Sequence, residues 1–275
     1  MEKIKIITDS TCDLPKEIIE KYDIEVVHLS ININGKSYKD GIDIDLYQLS
    51  DIIAETGDFP VTSQVNPDVF NDVYEKYLNK GYKILSIHIS DKLSNTCRYA
   101  SISKDILESN DIHIFDSLCV SMGLGLIVYE AAEMVSKGYS LNEIIKYIES
   151  LSMKVNSRFL INDLSTLSRS GRIDNKMVSF ASILGIKPVV GLVKGELSVI
   201  DRVIGVKKSI NYLIDFIKSG ATEDTLIWVI YHGESQLFSE VKKFLDENNY
   251  KYIIATVGCV VGVYAGNECV GIFYK

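Results

Sequence analysis

The 275-residue sequence has no apolar run approaching the ~20 residues that cross a bilayer, and its opening MEKIKIITDS enters a strand pattern directly, without a signal-peptide core. No integral membrane segment is expected, and the expected compartment is the cytoplasm. Basic charge is in short supply: 29 Lys and Arg against 37 Asp and Glu leave a formal charge of −8, the wrong sign for a surface that releases counterions from nucleic acid. A nucleic-acid partner is therefore excluded. Cysteine is sparse and unpaired, with Cys12, Cys97, Cys119, Cys259 and Cys269 far apart and no CxxC, and His28, His88, His113 and His232 are equally scattered. This spacing fits neither a metal site nor a disulfide framework, and the thiols read as small buried hydrophobes in a reducing compartment. A GKS or GKT phosphate loop is missing, as is a GxSxG elbow, and no histidine stands in an obvious triad position.

What is present is ordinary globular material, 47% apolar and 24% charged, in a chain longer than one average domain. Ile4–Ile7 is a short apolar run ending at Thr8, Asp9 and Ser10, and Asp13 with Pro15 opens a helix pattern through Tyr22. Ile24–Ile33 alternates as a strand and is followed by an Asn34-Gly35 turn. Helical spacing recurs over Pro67–Leu78, with Asn66 placed to cap and Gly81 to stop. Strands at Lys83–Ile89 and Ile112–Phe115 alternate with helices starting near Ser94 and running from Ser121 to Ser136.

Repeated βα units whose strands end in polar residues predict a mostly parallel sheet with a ligand site beyond the strands' C-terminal ends. The pattern changes after a helix at Leu141–Met153, to Phe159-Leu160-Ile161, a polar SRSGR segment and a hairpin at Lys194-Gly195. The boundary is placed near residue 155, giving an N-terminal α/β domain over 1–155 and a C-terminal α/β domain over 156–275. In the second half, helices are expected at Lys207–Ser219 and Ser235–Asn248, and strands at Leu226–Tyr231, Tyr252–Thr256 and Cys269–Tyr274.

Three segments carry candidate chemistry. Thr62-Ser63-Gln64 places hydroxyls just before the helix at Pro67, although taken alone a polar turn is the commoner account of it. Ser90-Asp91-Lys92-Leu93-Ser94-Asn95-Thr96 joins a strand to a helix, where backbone N–H groups and the hydroxyls of Ser94 and Thr96 could converge on an anion, although an isolated serine cap is the commoner account of such a segment. Asp163–Ile173 puts Arg169 and Arg172 in a polar turn, for which surface solvation is the competing reading.

These motifs occur in order with ITDS at Ile7–Ser10, DS at Asp116-Ser117, the Gly123 and Gly125 helix and an LxxLxxxGRI frame at Leu164–Ile173, and together they resemble the DegV family over nearly the whole chain. The resemblance implies two α/β domains with a fatty acid lying in an apolar tunnel between them. It implies Thr62 and Ser94 as hydrogen-bond donors to the carboxylate, with support from Ser63, Ser117 and Tyr264. The long-chain fatty acid would be phosphorylated by a partner, an ATP-dependent fatty acid kinase, so the chain itself is expected to be no enzyme and to need no cofactor. Arg172 and Arg202 are the candidate partner-facing residues. Two departures stand out: the family's Gly after the ligand serine is Asn95, and a family histidine before a Thr-Gly-Pro-Gly-like turn is replaced by Tyr264 in Val263–Glu268. Two other readings remain open here, a serine hydrolase or acyltransferase using Ser94, and a lipid sensor without transfer activity.

Overall fold

A computed structural model describes residues 2–162, 164–174, 186–233, 235–266 and 268–275. Asp163 and Asn267, which belong to two of the segments above, lie outside the described residues. The contacts divide the chain into two compact units, Met1–Met153 with Gly258–Val260, and Lys154–Val257 with Val261–Lys275.

The first unit runs β1 (Ile4–Asp9), α1 (Lys16–Lys21), β2 (Glu25–Val27), β3 (Ser30–Ile33), β4 (Lys36–Lys39), α2 (Leu46–Thr56), β5 (Val61–Ser63), α3 (Pro67–Leu78), β6 (Lys83–His88), α4 (Thr96–Ile106), β7 (Ile112–Asp116), α5 (Met122–Ser136) and α6 (Leu141–Ser152). Its main sheet is wholly parallel, in the order β2-β1-β6-β7. All six residues of β1 are buried, as a strand covered on both faces requires. Even Lys5 is buried there, and its ammonium reaches Asp23 Oδ2 at 2.7 Å. The chain leaves β1 for β2 on one side and later returns as β6 on the other, so the strand order reverses between β1 and β6. In open α/β sheets, a crevice beyond the strand ends at such a reversal is where ligands bind.

Helix sequences explain how the layers close. In α6, Leu141, Ile144, Ile148 and Leu151 fall on one buried stripe, each worth ~1.5–3 kcal/mol when fully removed from water. Ser140 and Glu143 form a capping box at its start. Helix α5 passes so close to the 3-10 turn at Ser10–Cys12 that a Cβ on Gly125 would sit 2.6 Å from the Cys12 carbonyl oxygen.

The expected strand over Ile24–Ile33 is two strands in two sheets. β2 belongs to the parallel sheet, whereas β3 pairs antiparallel with β4 and β5. The break falls at His28-Leu29, where Leu29 N donates to Ser10 Oγ and His28 Nδ1 lies 2.7 Å from the Asp40 carbonyl oxygen. Apolar alternation has the same period in both sheet types, so it did not mark the handover. The Asn34-Gly35 turn closes the β3–β4 hairpin with both residues at positive φ, 50° and 69°, the twist that hairpins favour.

In the second unit the elements are β8 (Asn156–Ile161), α7 (Ser165–Arg169), β9 (Ile186–Val193), β10 (Glu196–Ile204), α8 (Val206–Gly220), β11 (Leu226–His232), α9 (Gln236–Glu247), β12 (Lys251–Thr256), α10 (Cys259–Ala265), whose first two residues count with the first unit, and β13 (Cys269–Tyr274). They build a mixed six-stranded sheet in the order β10-β9-β8-β13-β11-β12, in which β11 and β12 are the parallel pair and α9 makes the crossover between them. Leu213 and Ile217 of α8 and Val241 and Leu245 of α9 join Ile227 and Val229 of β11 in its core. Part of the expected polar turn is helical, since Ser165–Arg169 forms α7 before the chain turns at Gly171. Among the described residues no helix is long and apolar enough to cross a membrane.

Candidate functional site

The C-terminal ends of β1, β6 and β7 carry the polar segments that the sequence singled out. Ser90 N donates to the Cys119 carbonyl, and Leu93 N and Ser94 N both donate to the Ser90 carbonyl, which folds 90–94 into a compact turn. Helix α4 therefore begins at Thr96, two residues later than expected, and half-buried Ser94 stands in the turn with its hydroxyl 2.9 Å from that of Thr96. Asn95 caps the helix without a side-chain hydrogen bond.

Thr62 pairs with Ile31 across β5 and β3, so it shares a face with a fully buried isoleucine. Alternation sends Ser63 to the opposite face, where its hydroxyl accepts from Asn32 Nδ2 at 3.2 Å. Thr62 and Ser63 are thus not presented together. Gln64 Nε2 donates to the Tyr99 hydroxyl at 3.0 Å, and Ser103 Oγ donates to Asn71 Oδ1. These bonds tie the TSQ segment and α3 to α4, the helix that Ser94 precedes.

Ser117 is fully buried and spends its hydroxyl locally, accepting from Cys119 N at 3.1 Å and donating to Cys119 O at 3.3 Å. It shapes the β7–α5 connection. Beside it, Asp116 is pushed up to about 6, first by burial and then by Asp91.

In the second unit the Arg172 guanidinium lies 4.8 Å from the centre of the Tyr264 ring, a cation–π pair that joins two residues given separate roles by the sequence. Tyr264 stands near the end of α10, and Gly266, with φ of 78°, follows the helix. Exposed Arg202 lies on β10, an edge strand, opposite Pro188.

Sequence reasoning missed a buried polar line at the switch point. His88 Nδ1 is 3.0 Å from Asp9 Oδ2, Ser86 Oγ is 2.7 Å from His88 Nε2, and the Tyr74 hydroxyl donates to Ser86 at 2.8 Å. Asp9 also accepts from Ile89 N and Thr11 N at 3.1 Å. Here is a Ser–His–Asp line, but its serine is Ser86, with no exposed surface, and not Ser94. Ser86 and His88 sit two apart on one strand, the only trace of the line in the sequence. Thiol nucleophiles fare no better, because burial pushes the Cys12 and Cys97 thiols well above their usual range. None of the five cysteines forms a disulfide, and all are buried.

A second missed feature is a pair of buried carboxylates, Asp13 and Asp40. Asp13 Oδ1 accepts from Gly258 N at 2.9 Å and Asp40 Oδ1 from Cys259 N at 2.8 Å.

The DegV family model, described as "Uncharacterised protein, DegV family", matches residues 3–275. The chain belongs to the DegV family. A DegV domain-containing protein of Clostridium acetobutylicum is 41% identical over 275 residues, covering all of this chain and 99% of that one. Among solved structures, the DegV family protein from Thermus thermophilus, described for its fatty acid binding, superposes with a TM-score of 0.92 at 27% identity, covering 99% of both chains. The Streptococcus pneumoniae fatty acid kinase B3 protein, loaded with linoleic acid, superposes with a TM-score of 0.86 over 99% of both chains, and at 21% identity it shares the DegV fold.

Proposed function

We propose that this chain binds a long-chain fatty acid through Thr62 and Ser94 and presents the carboxylate to a separate ATP-dependent kinase, which phosphorylates it to acyl-phosphate. The observation that carries the reading is the pairing of two half-buried hydroxyl segments, tied together through Gln64 and Tyr99 beside the sheet's switch point, in a family whose solved members include fatty-acid-binding proteins. The chain supplies binding and positioning, not chemistry of its own. Five buried thiols outside any disulfide suit a reducing compartment such as the cytoplasm.

Neutral hydroxyls suit a carboxylate that must react. They orient one oxygen without locking it in an ion pair, leaving the other free to attack a phosphoryl group. Affinity then comes from the tail: at ~0.8 kcal/mol per buried methylene, a sixteen-carbon chain contributes roughly 12 kcal/mol before entropic losses, against ~1 kcal/mol for each hydroxyl. The test is to denature the purified protein, extract with organic solvent and identify the released acid by mass spectrometry. About one C14 to C18 acid per chain is expected. An empty extract, with no thermal stabilisation on adding such acids, overturns the reading.

A further inference from the structure

Two acidic side chains buried together without a cation call for an explanation that ligand binding does not supply. Asp40 is 2% exposed and Asp13 8%, and among the described residues neither forms an ion pair. Each carboxylate takes one of two consecutive backbone N–H groups, Gly258 N on Asp13 and Cys259 N on Asp40. They close around that backbone so tightly that a Cβ on Gly258 would lie 2.9 Å from Asp13 Oδ1 and 3.4 and 3.6 Å from the two oxygens of Asp40. Among the described residues Asp40 Oδ2 lacks a partner at good hydrogen-bond geometry, although Ser10 and the Val260 amide lie near enough to favour its charge. Two buried anions this close, one with an unsatisfied oxygen, repel each other in a medium of low dielectric.

We propose that Asp13 and Asp40 form a proton-operated latch on the Gly258–Val260 segment: with Asp13 protonated the pair grips the Gly258 and Cys259 N–H groups, and with both ionised the grip loosens. The groups facing the pair are consistent with this. Asp9 at the end of β1 adds negative charge to Asp13, as Asp40 does, while Ser121 at the start of α5 and Gly258 N donate to it. Ser10 and His28 act on Asp40 in the opposite sense, together with the Cys259 and Val260 amides. Buried Cys12 and Cys259 also neighbour the pair, and Asp45 lies near Cys259. Burial is the first influence on both acids, and it pushes Asp13 up to about 8. The proton has a seat, since Asp13 Oδ2 lies 2.6 Å from Ser121 Oγ and donates there when protonated. Cys259 is the first residue of α10, whose last turn carries Tyr264, so the latch governs how firmly that helix is started.

The latch does not depend on the fatty-acid reading, and its test needs no ligand. Amide hydrogen exchange of the full-length protein is followed from pH 6.5 to 9.5, with each rate divided by the intrinsic rate at that pH. Protection of Gly258 and Cys259 is expected to fall at least tenfold across the range while Leu85 and Ile87 in β6 keep theirs. Asp13→Asn, a neutral isostere that still accepts from Gly258 and donates to Ser121, is expected to remove the fall, and Asp40→Asn provides the same comparison if the first variant folds poorly. Flat protection in the wild type, an equal fall in β6, or an unchanged fall in both Asn variants overturns the latch.

Discussion

Asp9 and His88, at the C-terminal ends of neighbouring parallel strands, meet at 3.0 Å with neither side chain exposed. Asp9 already accepts from Ile89 N and Thr11 N, and the Tyr74 hydroxyl donates to Ser86, so the order that satisfies every atom has Ser86 donating to His88 Nε2 and His88 Nδ1 donating to Asp9. Every proton in the line then has a place, and the line ends on Asp9, which also fixes Ile89 N, the residue before the Ser90 turn. The same order of atoms that resembles a hydrolase triad acts here as a strut under the turn that presents Ser94.

His88→Ala is therefore expected to lower unfolding stability by ~2–4 kcal/mol, since it strands a buried hydroxyl and part of a buried carboxylate. Tyr74→Phe removes only the terminal donor and is expected to cost ~1 kcal/mol. Urea unfolding of the two variants measures both. A loss below ~1 kcal/mol for His88→Ala contradicts the strut.

Stability should also vary with pH in an unusual direction. Asp13 has a folded pKa of about 8, raised above the ordinary aspartate value of 3.8. Between those values the folded state holds a proton that the unfolded state has lost, so the contribution is full below about pH 4 and disappears as pH rises through 8. Unfolding free energy should fall by ~1 kcal/mol per pH unit over that window on this account alone. The difference between wild type and Asp13→Asn, measured by urea unfolding at each pH, isolates it. A difference that does not change with pH contradicts the raised pKa.

Local chemistry in the sequence located most elements. Asn34-Gly35 and Lys194-Gly195 mark hairpin turns because both positions need positive φ, and Pro67–Leu78 is an amphipathic helix with proline in its first turn. Helix α2 carries its own signals as well, an Asp45 and Gln48 capping box and a left-handed Gly57. That Thr62 and Ser63 face opposite ways also follows from strand alternation, once β5 is known to be a strand. The Asp13 and Asp40 pair was not legible: each looks like an ordinary loop aspartate, and only the return of Gly258-Cys259 makes them a site. Long-range convergence of this kind has no period to detect.

Arg202 stands exposed on an edge strand, where its backbone N–H is taken by Asp201 Oδ1 at 2.7 Å and its side chain extends from the sheet. Arg202→Ala is expected to leave fatty-acid affinity within about twofold, because surface substitutions shift free energies by ~0.5 kcal/mol or less, while slowing kinase-dependent phosphorylation. Fluorescent fatty-acid titration and an acyl-phosphate assay separate the two effects. Weakened binding with unchanged transfer per bound acid assigns Arg202 to the lipid instead.

Thr62 and Ser94 offer the sharpest test of the carboxylate assignment. On the proposed assignment each hydroxyl would contribute ~1 kcal/mol to holding a carboxylate, and a buried tail several times more. Thr62→Ala and Ser94→Ala are each expected to weaken binding of a C16 acid by about tenfold or less. A C16 alcohol has the same tail without the charge, so its affinity should change less in both variants, which distinguishes a lost carboxylate contact from a disturbed fold. Phosphoryl transfer should fall further than binding, because a carboxylate displaced by ~1 Å loses its in-line approach to the γ-phosphate. The double variant should still fold and still take up lipid. Equal losses for acid and alcohol would mean that the substitutions act through the tail or the fold, and unchanged transfer in Ser94→Ala would remove that residue from the carboxylate site.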